Sequence, residues 1–447
     1  MIYKRISEFI KNLKYNSIVD NLLRRPPLFY NRFYNDLKKI DTYNKDKKRR
    51  VVGHNLKRVL QIASNSRYAK KNNLNSLNIE DWPILEKSTV RDNAEKLLTR
   101  NKLFTISAST SGSTGIPIKL YRSLSSISYE QATIDYIVNK AGGDFKRSNV
   151  GIFRGDDIKS PDDTDPPFWK QISSSKVAFS STHLSPETID HYYSFIKESD
   201  INLLIGYPSA LEELLRNIFD VGNLPKVKAV ITSSEVLDNS TRRFFKKVCP
   251  NSVVIDYYGL AERMVFAYSF DGENYFFLPT YAYVEFLFNS SDEQYDYYEI
   301  VGTSFINDAM PFIRFKTGDL MKVPRDTTRE KLEDIRLGLE PFQGIVGRTI
   351  DYLITSEGER LVGMTLIPRG VEHISQAQIY QKSYDHVVIN VIPQGGYNSE
   401  DESKLLKNAR TKIPNSFKIE VQKVDALLKS ESGKAPYVLR NSKLKQS

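Results

Sequence analysis

Two short runs, Ala229–Ser233 (AVITS) and Val253–Tyr257 (VVIDY), consist mainly of apolar and β-branched residues, and each gives way to polar residues and then a helical pattern. That alternation indicates α/β architecture, with functional loops expected where the strands end. It starts near residue 76, with LFTIS, a helix through Tyr129 to Lys140, and VGIFR. Residues 275–300 are dense in Tyr, Phe and Val with turn residues between them, and read as an antiparallel hairpin region. From Asp351 a smaller unit follows, with short strands (HVVINVIP, FKIEVQKV) around a helix at Glu400 to Lys412. A length of 447 residues at 40% hydrophobic content supports two or three domains, and no internal repeat or low-complexity tract interrupts them.

Charge is concentrated at one end. Residues 1–71 carry 19 Lys/Arg against 5 Asp/Glu, a local +14, so the net +10 leaves about −4 for the rest. A basic segment suits a nucleic-acid phosphate backbone, an anionic membrane surface, or simple solvation. Ile6, Phe9, Ile10 and Leu13 recur at helical spacing before Arg24, Arg25, Pro26 and Pro27 interrupt them, which predicts a basic amphipathic helix. Residues 1–50 therefore offer a peripheral contact with an anionic membrane, with packing onto the main body as the plainer alternative. Lys45–Arg50 (KDKKRR) reads as a surface linker. No recognisable nucleic-acid module accompanies the basic residues, so no nucleic-acid partner is expected.

No run of about 18 apolar residues appears, and charges break the apolar positions of MIYKRISEFIKNLKY, which is unlike a secretory signal. A cytoplasmic protein is expected, at most peripheral on the inner face of the membrane. One cysteine, Cys249, and five scattered histidines form no disulfide and no cluster at metal-ligand spacing, so structural zinc is not expected.

Residues 107–119, SASTSGSTGIPIK, place six hydroxyl side chains and two glycines between a strand-like run and a helix. This is no Walker A sequence: from Gly112, that pattern would need Gly and Lys where Pro117 and Ile118 stand. Its chemistry still points to phosphate, because glycines let the backbone approach while hydroxyls and N–H groups donate to anionic oxygens. Downstream, Asp256–Glu262 (DYYGLAE) ends a strand with paired aromatics, a glycine and a carboxylate. An aromatic face stacks on a base and a carboxylate holds magnesium beside phosphates. In Lys316–Asp319 (KTGD) a turn after a β-like stretch would present Asp319 to a ribose diol, or simply form an Asx turn. Gly347–Asp351 (GRTID) and Glu431–Lys434 (ESGK) follow later.

The order of these five motifs resembles the adenylate-forming enzymes: acyl- and aryl-CoA ligases, luciferases and peptide-synthetase adenylation domains. Pro83–Arg91 (PILEKSTVR), Gly206–Leu211 (GYPSAL) and Thr232–Glu235 (TSSE) resemble the phenylacetate-CoA ligase-like branch. Within it, the basic N-terminus and the YGLAE form look most like CapK-type proteins, associated with bacterial capsular and other surface polysaccharides. The resemblance runs from about residue 76 to the end. It implies a basic, mainly helical N-terminal extension (1–75), an adenylate-forming core of mixed sheets flanked by helices (76–350) and a small, mobile C-terminal α+β lid domain (351–447).

The resemblance further implies that Ser111, Gly112, Ser113, Thr114 and Gly115 cradle ATP phosphates, that Tyr258 beside Gly259 faces adenine, and that Glu262 binds magnesium. Asp319 would hold the ribose, Arg348 would contact ribose or phosphate, Asp351 would be the hinge, and Lys434 would reach the reacting carboxylate and the α-phosphate. Tyr207, Pro208, Ser209, Ser233 and Ser234 would line an acyl pocket. This chain departs from the pattern in three respects: Ala261 replaces the usual threonine before the glutamate, the loop lysine is displaced to Lys119, and cysteines that some branch members use for a metal have no counterpart. The implied activity is ATP- and Mg2+-dependent activation of a small-molecule or sugar-linked carboxylate as acyl-AMP, followed by transfer in surface-polysaccharide assembly. An aryl-acid CoA ligase, with CoA as a further cofactor, and a non-catalytic nucleotide-binding scaffold are the alternatives.

Overall fold

The computed structural model describes residues 22, 24–109, 118–154, 158–160, 163–222, 226–234, 237, 239–291, 293–346, 352–357, 360–361, 364, 367–368, 371, 373–393, 395–425, 427–428, 437–441 and 444. The amphipathic helix expected near Ile6–Leu13 and most of the phosphate loop lie outside these residues. The chain divides into two compact units, residues 1–108 with 120–346, and residues 109–119 with 347–447.

The large unit begins with helices α1 (Pro27–Ile40), α2 (Lys45–Ala63), α3 (Arg67–Lys71) and α4 (Lys87–Asn93). Each of the first three starts on a residue suited to a helix N-terminus: Pro27 in the first turn of α1, Asn44 accepting from Lys47 N, and Ser66 accepting from Ala69 N. Strands β1 (Ile106–Ser109) and β2 (Lys119–Arg122) flank the segment expected to bind phosphate, and α5 (Leu124–Lys140) follows, capped by Ser123.

Next come β3 (Val150–Phe153), β4 (Trp169–Ser173), β5 (Lys176–Phe179), α6 (Ile189–Glu198), β6 (Leu203–Gly206), α7 (Pro208–Asp220), β7 (Ala229–Ser233), α8 (Asn239–Val248), β8 (Val253–Gly259), β9 (Phe266–Ser269) and β10 (Phe276–Phe277). These strands form one eight-stranded sheet in the order β10-β9-β8-β7-β6-β3-β5-β4. Strands β8, β7, β6, β3 and β5 run parallel, while β4, β9 and β10 pair antiparallel at the margins.

Both faces of the sheet are covered, because alternate strand residues point to opposite sides. Leu203, Ile205, Ala229, Ile231 and Ile255 pack with Tyr30, Leu37 and Ile40 of α1 and Ala132, Tyr136 and Ile137 of α5. Their neighbours Leu204, Val230 and Val254 pack on the other face with Ile189 and Tyr192 of α6, Leu211, Leu214 and Ile218 of α7, and Phe245 of α8.

A second sheet of four strands, β11 (Ala282–Ser291), β12 (Tyr295–Ser304), β13 (Phe315–Pro324) and β14 (Ile345–Val346), is antiparallel throughout, and its first two strands realise the hairpin expected at 275–300. Helix α9 (Arg329–Arg336) lies between β13 and β14 in the chain. Against this region pack Val52, Val59, Leu60 and Ala63 of α2 with Trp82, Phe305, Ile313 and Leu337.

Lys45–Arg50 is not a linker: it forms the first turns of α2, and its cations meet the acidic residues of α9. Lys45 Nζ lies 3.1 Å from Glu330 and 2.7 Å from Asp334, and Arg49 holds Glu333 by two bonds of 2.7 and 2.9 Å. Lys48 is buried and donates to the carbonyl oxygens of Leu337 and Gly338, each at 3.3 Å, with burial lowering its pKa. A charge run reads as solvated when only its chain neighbours are visible, and here the neutralising acids lie 284 and 285 positions away.

N-terminal to these, Arg25 makes a two-bond pair with buried Asp135 of α5 at 2.7 and 2.8 Å, while Tyr30 and Gln131 donate to the same carboxylate at 2.6 and 2.8 Å. Among the described residues no helix is long and apolar enough to cross a membrane.

The small unit holds a hairpin, β15 (Leu353–Ile354) with β16 (Arg360–Leu361), and a sheet ordered β19-β18-β17-β20 from β17 (Ile374–Ser383), β18 (His386–Pro393), β19 (Lys418–Lys423) and β20 (Val438–Arg440). Helix α10 (Ser399–Arg410) starts at a reciprocal cap between Asn398 and Asp401. Its Leu405 and Ala409 bury against Ile379, Val387, Ile389 and Val391. Buried Gln381 fastens the short hairpin to β17, accepting from Ile354 N at 2.9 Å and donating to Ile354 O at 2.6 Å.

Candidate functional site

In the large sheet the chain leaves β3 toward β5 on one side and resumes at β6 on the other, which makes the β3/β6 boundary a topological switch point. Crevices at the carboxyl ends of such strands are where α/β folds place ligands. Arg154 follows β3, Tyr207 follows β6, Ser233 ends β7, and Tyr257 and Tyr258 lie near the end of β8.

The strands close tightly there. Tyr207 N donates to Phe153 O at 3.0 Å, and a Cβ at Gly206 would stand 2.4 Å from that same oxygen, so only glycine fits. Pro208 then opens α7, since it needs no N–H partner in a first turn.

Of the expected acyl-pocket residues, Tyr207 is half-buried, Pro208 and Ser233 are buried, and Ser234 is exposed in a left-handed turn (φ 73°). Ser209 lies in α7, and its side chain is outside the description. The structure adds a residue that sequence reasoning missed. Arg154 Nη2 donates to Ser233 Oγ at 3.2 Å and to the Tyr257 hydroxyl, and its guanidinium carbon sits 5.9 Å from the Tyr257 ring centre. Its one sequence signal is that it directly follows the apolar strand VGIF.

On the opposite side of β8, Tyr258 donates its hydroxyl proton to Asp319 Oδ2 at 2.7 Å. Burial, and then the Asp319 carboxylate, hold that phenol well above its ordinary pKa. Asp319 does not stand in a turn after a strand, as expected, but inside β13. Glu299 pairs with Leu320 and Val301 with Lys316, so Thr317, Gly318 and Asp319 bulge opposite Ile300 alone. Gly318 takes the left-handed conformation this needs (φ 80°), and Thr317 clamps the bulge by donating to Ile300 O at 2.8 Å and accepting from Asp319 N at 3.1 Å. The bulge re-aims one carboxylate toward Tyr258.

Beyond β8, Glu262 is buried in a tight turn closed by Arg263 N donating to Leu260 O at 2.9 Å, with Arg263 itself left-handed (φ 59°). Burial raises the Glu262 carboxyl pKa, while its own backbone N–H and the Arg122 guanidinium act against that. Arg122, at the end of β2, donates to Ala261 O and so holds the turn from outside. Burial pulls the Arg122 pKa down to about 10, neighbouring Arg263 adds to the effect, and Glu130, Tyr281 and Glu262 oppose it.

Behind the site, Asp256 accepts from Thr232 at 2.5 Å and from the Tyr275 hydroxyl, bracing β8 against β7. Its burial raises the carboxyl pKa to about 6.

The structure thus brings Tyr258 together with Asp319, with Glu262 near enough to act on the Tyr258 phenol, and joins Ser233 to Arg154 and Tyr257. Gly259 closes β8 between Tyr258 and the Glu262 turn. Ser111, Gly112, Ser113, Thr114, Gly115, Arg348, Asp351 and Lys434 lie outside the described residues. Among the described residues, no three His, Cys, Asp or Glu side chains gather as a metal cluster.

Comparison with known proteins agrees with this architecture. Residues 353–441 match the family model described as the CapK C-terminal domain. The chain is 24% identical over 400 residues to Protein CapK of Staphylococcus aureus, covering 85% of each. Among solved structures, 2-hydroxyisobutyryl-CoA ligase in complex with 2-HIB-AMP and CoA superposes with a TM-score of 0.53 at 15% identity, covering 90% of this chain and 91% of that one. The chain therefore has the mixed α/β fold of that ligase, a large sheet-and-helix domain plus a small C-terminal one, and resembles CapK-type proteins along most of its length.

Proposed function

We propose that the protein is an ATP-dependent ligase that activates a carboxylate as acyl-AMP and passes the acyl group to an acceptor in bacterial surface-polysaccharide assembly. The observation that carries the reading is the Tyr258–Asp319 pair beside buried Glu262, on the fold of an acyl-CoA ligase. An aromatic at the strand end suits a nucleobase, the carboxylate hydrogen-bonded to it suits a ribose diol, and a second carboxylate suits a polyphosphate-bound cation.

Magnesium is usually held by one or two carboxylates together with substrate phosphates, so Glu262 alone fits that role without a protein cage. The cation would neutralise charge on the polyphosphate as pyrophosphate departs. The chain's own part is to bind and orient. Asp319 and Tyr258 fix the nucleoside, residues 111–115 cradle the phosphates, and Arg348 contacts ribose or phosphate. Lys434 then stabilises charge developing where the carboxylate oxygen attacks the α-phosphorus. The bond to pyrophosphate breaks as the acyl–phosphate bond forms, giving acyl-AMP. Rotation of residues 351–447 about Asp351 would next admit the acceptor, a step of the lid type.

The polysaccharide role rests on the resemblance to CapK-type proteins. Docking of the cytoplasmic enzyme at the inner membrane face through residues 1–50 would bring it to lipid-linked sugars. CoA as acceptor is the second reading, because the ligase sharing this fold was captured with CoA. Carboxylate-dependent exchange of labelled pyrophosphate into ATP tests the proposal across aryl acids, amino acids, taurine and uronic acids. Exchange with one class, lost in Lys434→Ala, supports it; no exchange with any acid while ATP still binds returns the protein to a nucleotide-binding scaffold.

A further inference from the structure

We propose that Arg122 and Arg263 are positioning residues for Glu262: each fixes the residue on one side of it, so that the site's hold on magnesium depends on two side chains that supply no ligand to the ion. The inference rests on the ligase reading, in which Glu262 takes the cation that accompanies ATP, and adds two residues to that site.

Three observations carry it. The residues flanking Glu262 are fastened to different elements: Arg122, at the end of β2, donates to Ala261 O, while Arg263 Nη1 donates to Ser126 Oγ of α5 at 3.0 Å. The anchor on α5 is itself secured. Ser126 Oγ donates to Ser123 O at 2.8 Å, and Glu130, one turn on, accepts from the Tyr281 hydroxyl and lies 3.9 Å from Arg263 Nε. Third, buried Arg263 holds a left-handed backbone (φ 59°), which costs a side-chain-bearing residue free energy and persists only where its surroundings enforce it.

Enforced strain next to a buried carboxylate points to the placement of that carboxylate. Charge points the same way. A guanidinium has no lone pair to offer a cation, and two of them nearby repel it, so on charge alone this pair would weaken the site. Any gain comes from holding Glu262 in place.

The test is calorimetric titration of the full-length protein with α,β-methylene-ATP, once in EDTA and once in saturating magnesium. The ratio of the two dissociation constants is the coupling between metal and nucleotide. Arg122→Met and Arg263→Met are expected to lower that ratio by about 10- to 100-fold, the range for residues that orient a metal ligand, with affinity in EDTA unchanged. Arg122→Lys keeps one donor for Ala261 O and should recover part of the loss. Thermal melting checks that the variants fold, and Arg122→Met carries the test if Arg263→Met unfolds. A ratio that holds or rises in Arg122→Met overturns the inference. So does weaker binding in EDTA, which would make the arginines phosphate contacts, and so does a deficit that vanishes at high pH, which would reflect protonation of Glu262. Glu262→Gln separates the two levels. A wild type without coupling, or a Glu262→Gln variant that keeps it, ends the magnesium role of Glu262 in the ligase reading. Coupling lost in Glu262→Gln but kept in the arginine variants sinks the positioning role alone.

Discussion

Tyr258 of the eight-stranded sheet donates to Asp319 of the four-stranded sheet over 2.7 Å, tying together two strands that begin 62 positions apart, at Val253 and Phe315. In the proposed nucleotide site, the pair would make each sheet one wall. Asp319→Ala should leave a half-buried phenol without this acceptor and weaken ATP binding by about 10- to 100-fold, whereas Tyr258→Phe keeps the aromatic face and should cost less. Equilibrium binding of a fluorescent ATP analogue measures both, and equal affinity in all three proteins would remove the pair from the nucleotide site.

Lys434 is expected to act only on the charge that develops during adenylation. Lys434→Ala should therefore lower the rate of acyl-AMP formation by on the order of 10²- to 10³-fold, with little change in ATP or acid affinity. Single-turnover measurements separate the two quantities. A variant that loses affinity and keeps its rate would assign the lysine to ground-state binding instead.

Asp256 gives a pH signature. Its carboxyl rises from the ordinary 3.8 to about 6 through burial, so the folded protein holds a proton that the unfolded chain has already released. Its contribution to stability is fully present below about pH 4, falls as pH rises toward 6, and levels off above that. The span corresponds to about 3 kcal/mol. Asp256→Asn keeps a carbonyl acceptor for one of the Thr232 and Tyr275 hydroxyls and offers the other an N–H donor; having no carboxyl to titrate, it should flatten this part of the profile, as read by urea unfolding from pH 4 to 7.5. An unaltered slope would mean that another group carries it.

Asp135 has no solvent exposure on its side chain and accepts from Arg25, Tyr30 and Gln131. Removing it takes a two-bond acceptor from a largely buried guanidinium. Asp135→Ala should destabilise the large unit by about 3–5 kcal/mol, the range for breaking a buried ion pair from one side. Denaturant midpoints test this, and a loss below 1 kcal/mol would show that the N-terminal helix docks through its apolar face alone.

The strand-helix alternation, the hairpin at 275–300 and the order of the motifs were legible in the chain itself. These depend on local periodicity and on residues adjacent in sequence, as with the AVITS and VVIDY strands. Asp319 was legible as a presented carboxylate, but not as part of a bulge, because a bulge is defined by the strand opposite, at Ile300. Arg154 and Arg122 were silent for the same reason. A cation's role is set by what it meets, and these two meet Tyr257, 103 positions on, and Ala261, 139 positions on. The run Lys45–Arg50 shows the converse: its charge was plain in the sequence, but its neutralisation by Glu330, Glu333 and Asp334 was not. Backbone preference and hydrophobic period act over a few residues and so determine the elements. Electrostatic partnership acts through space, and only the folded chain decides it.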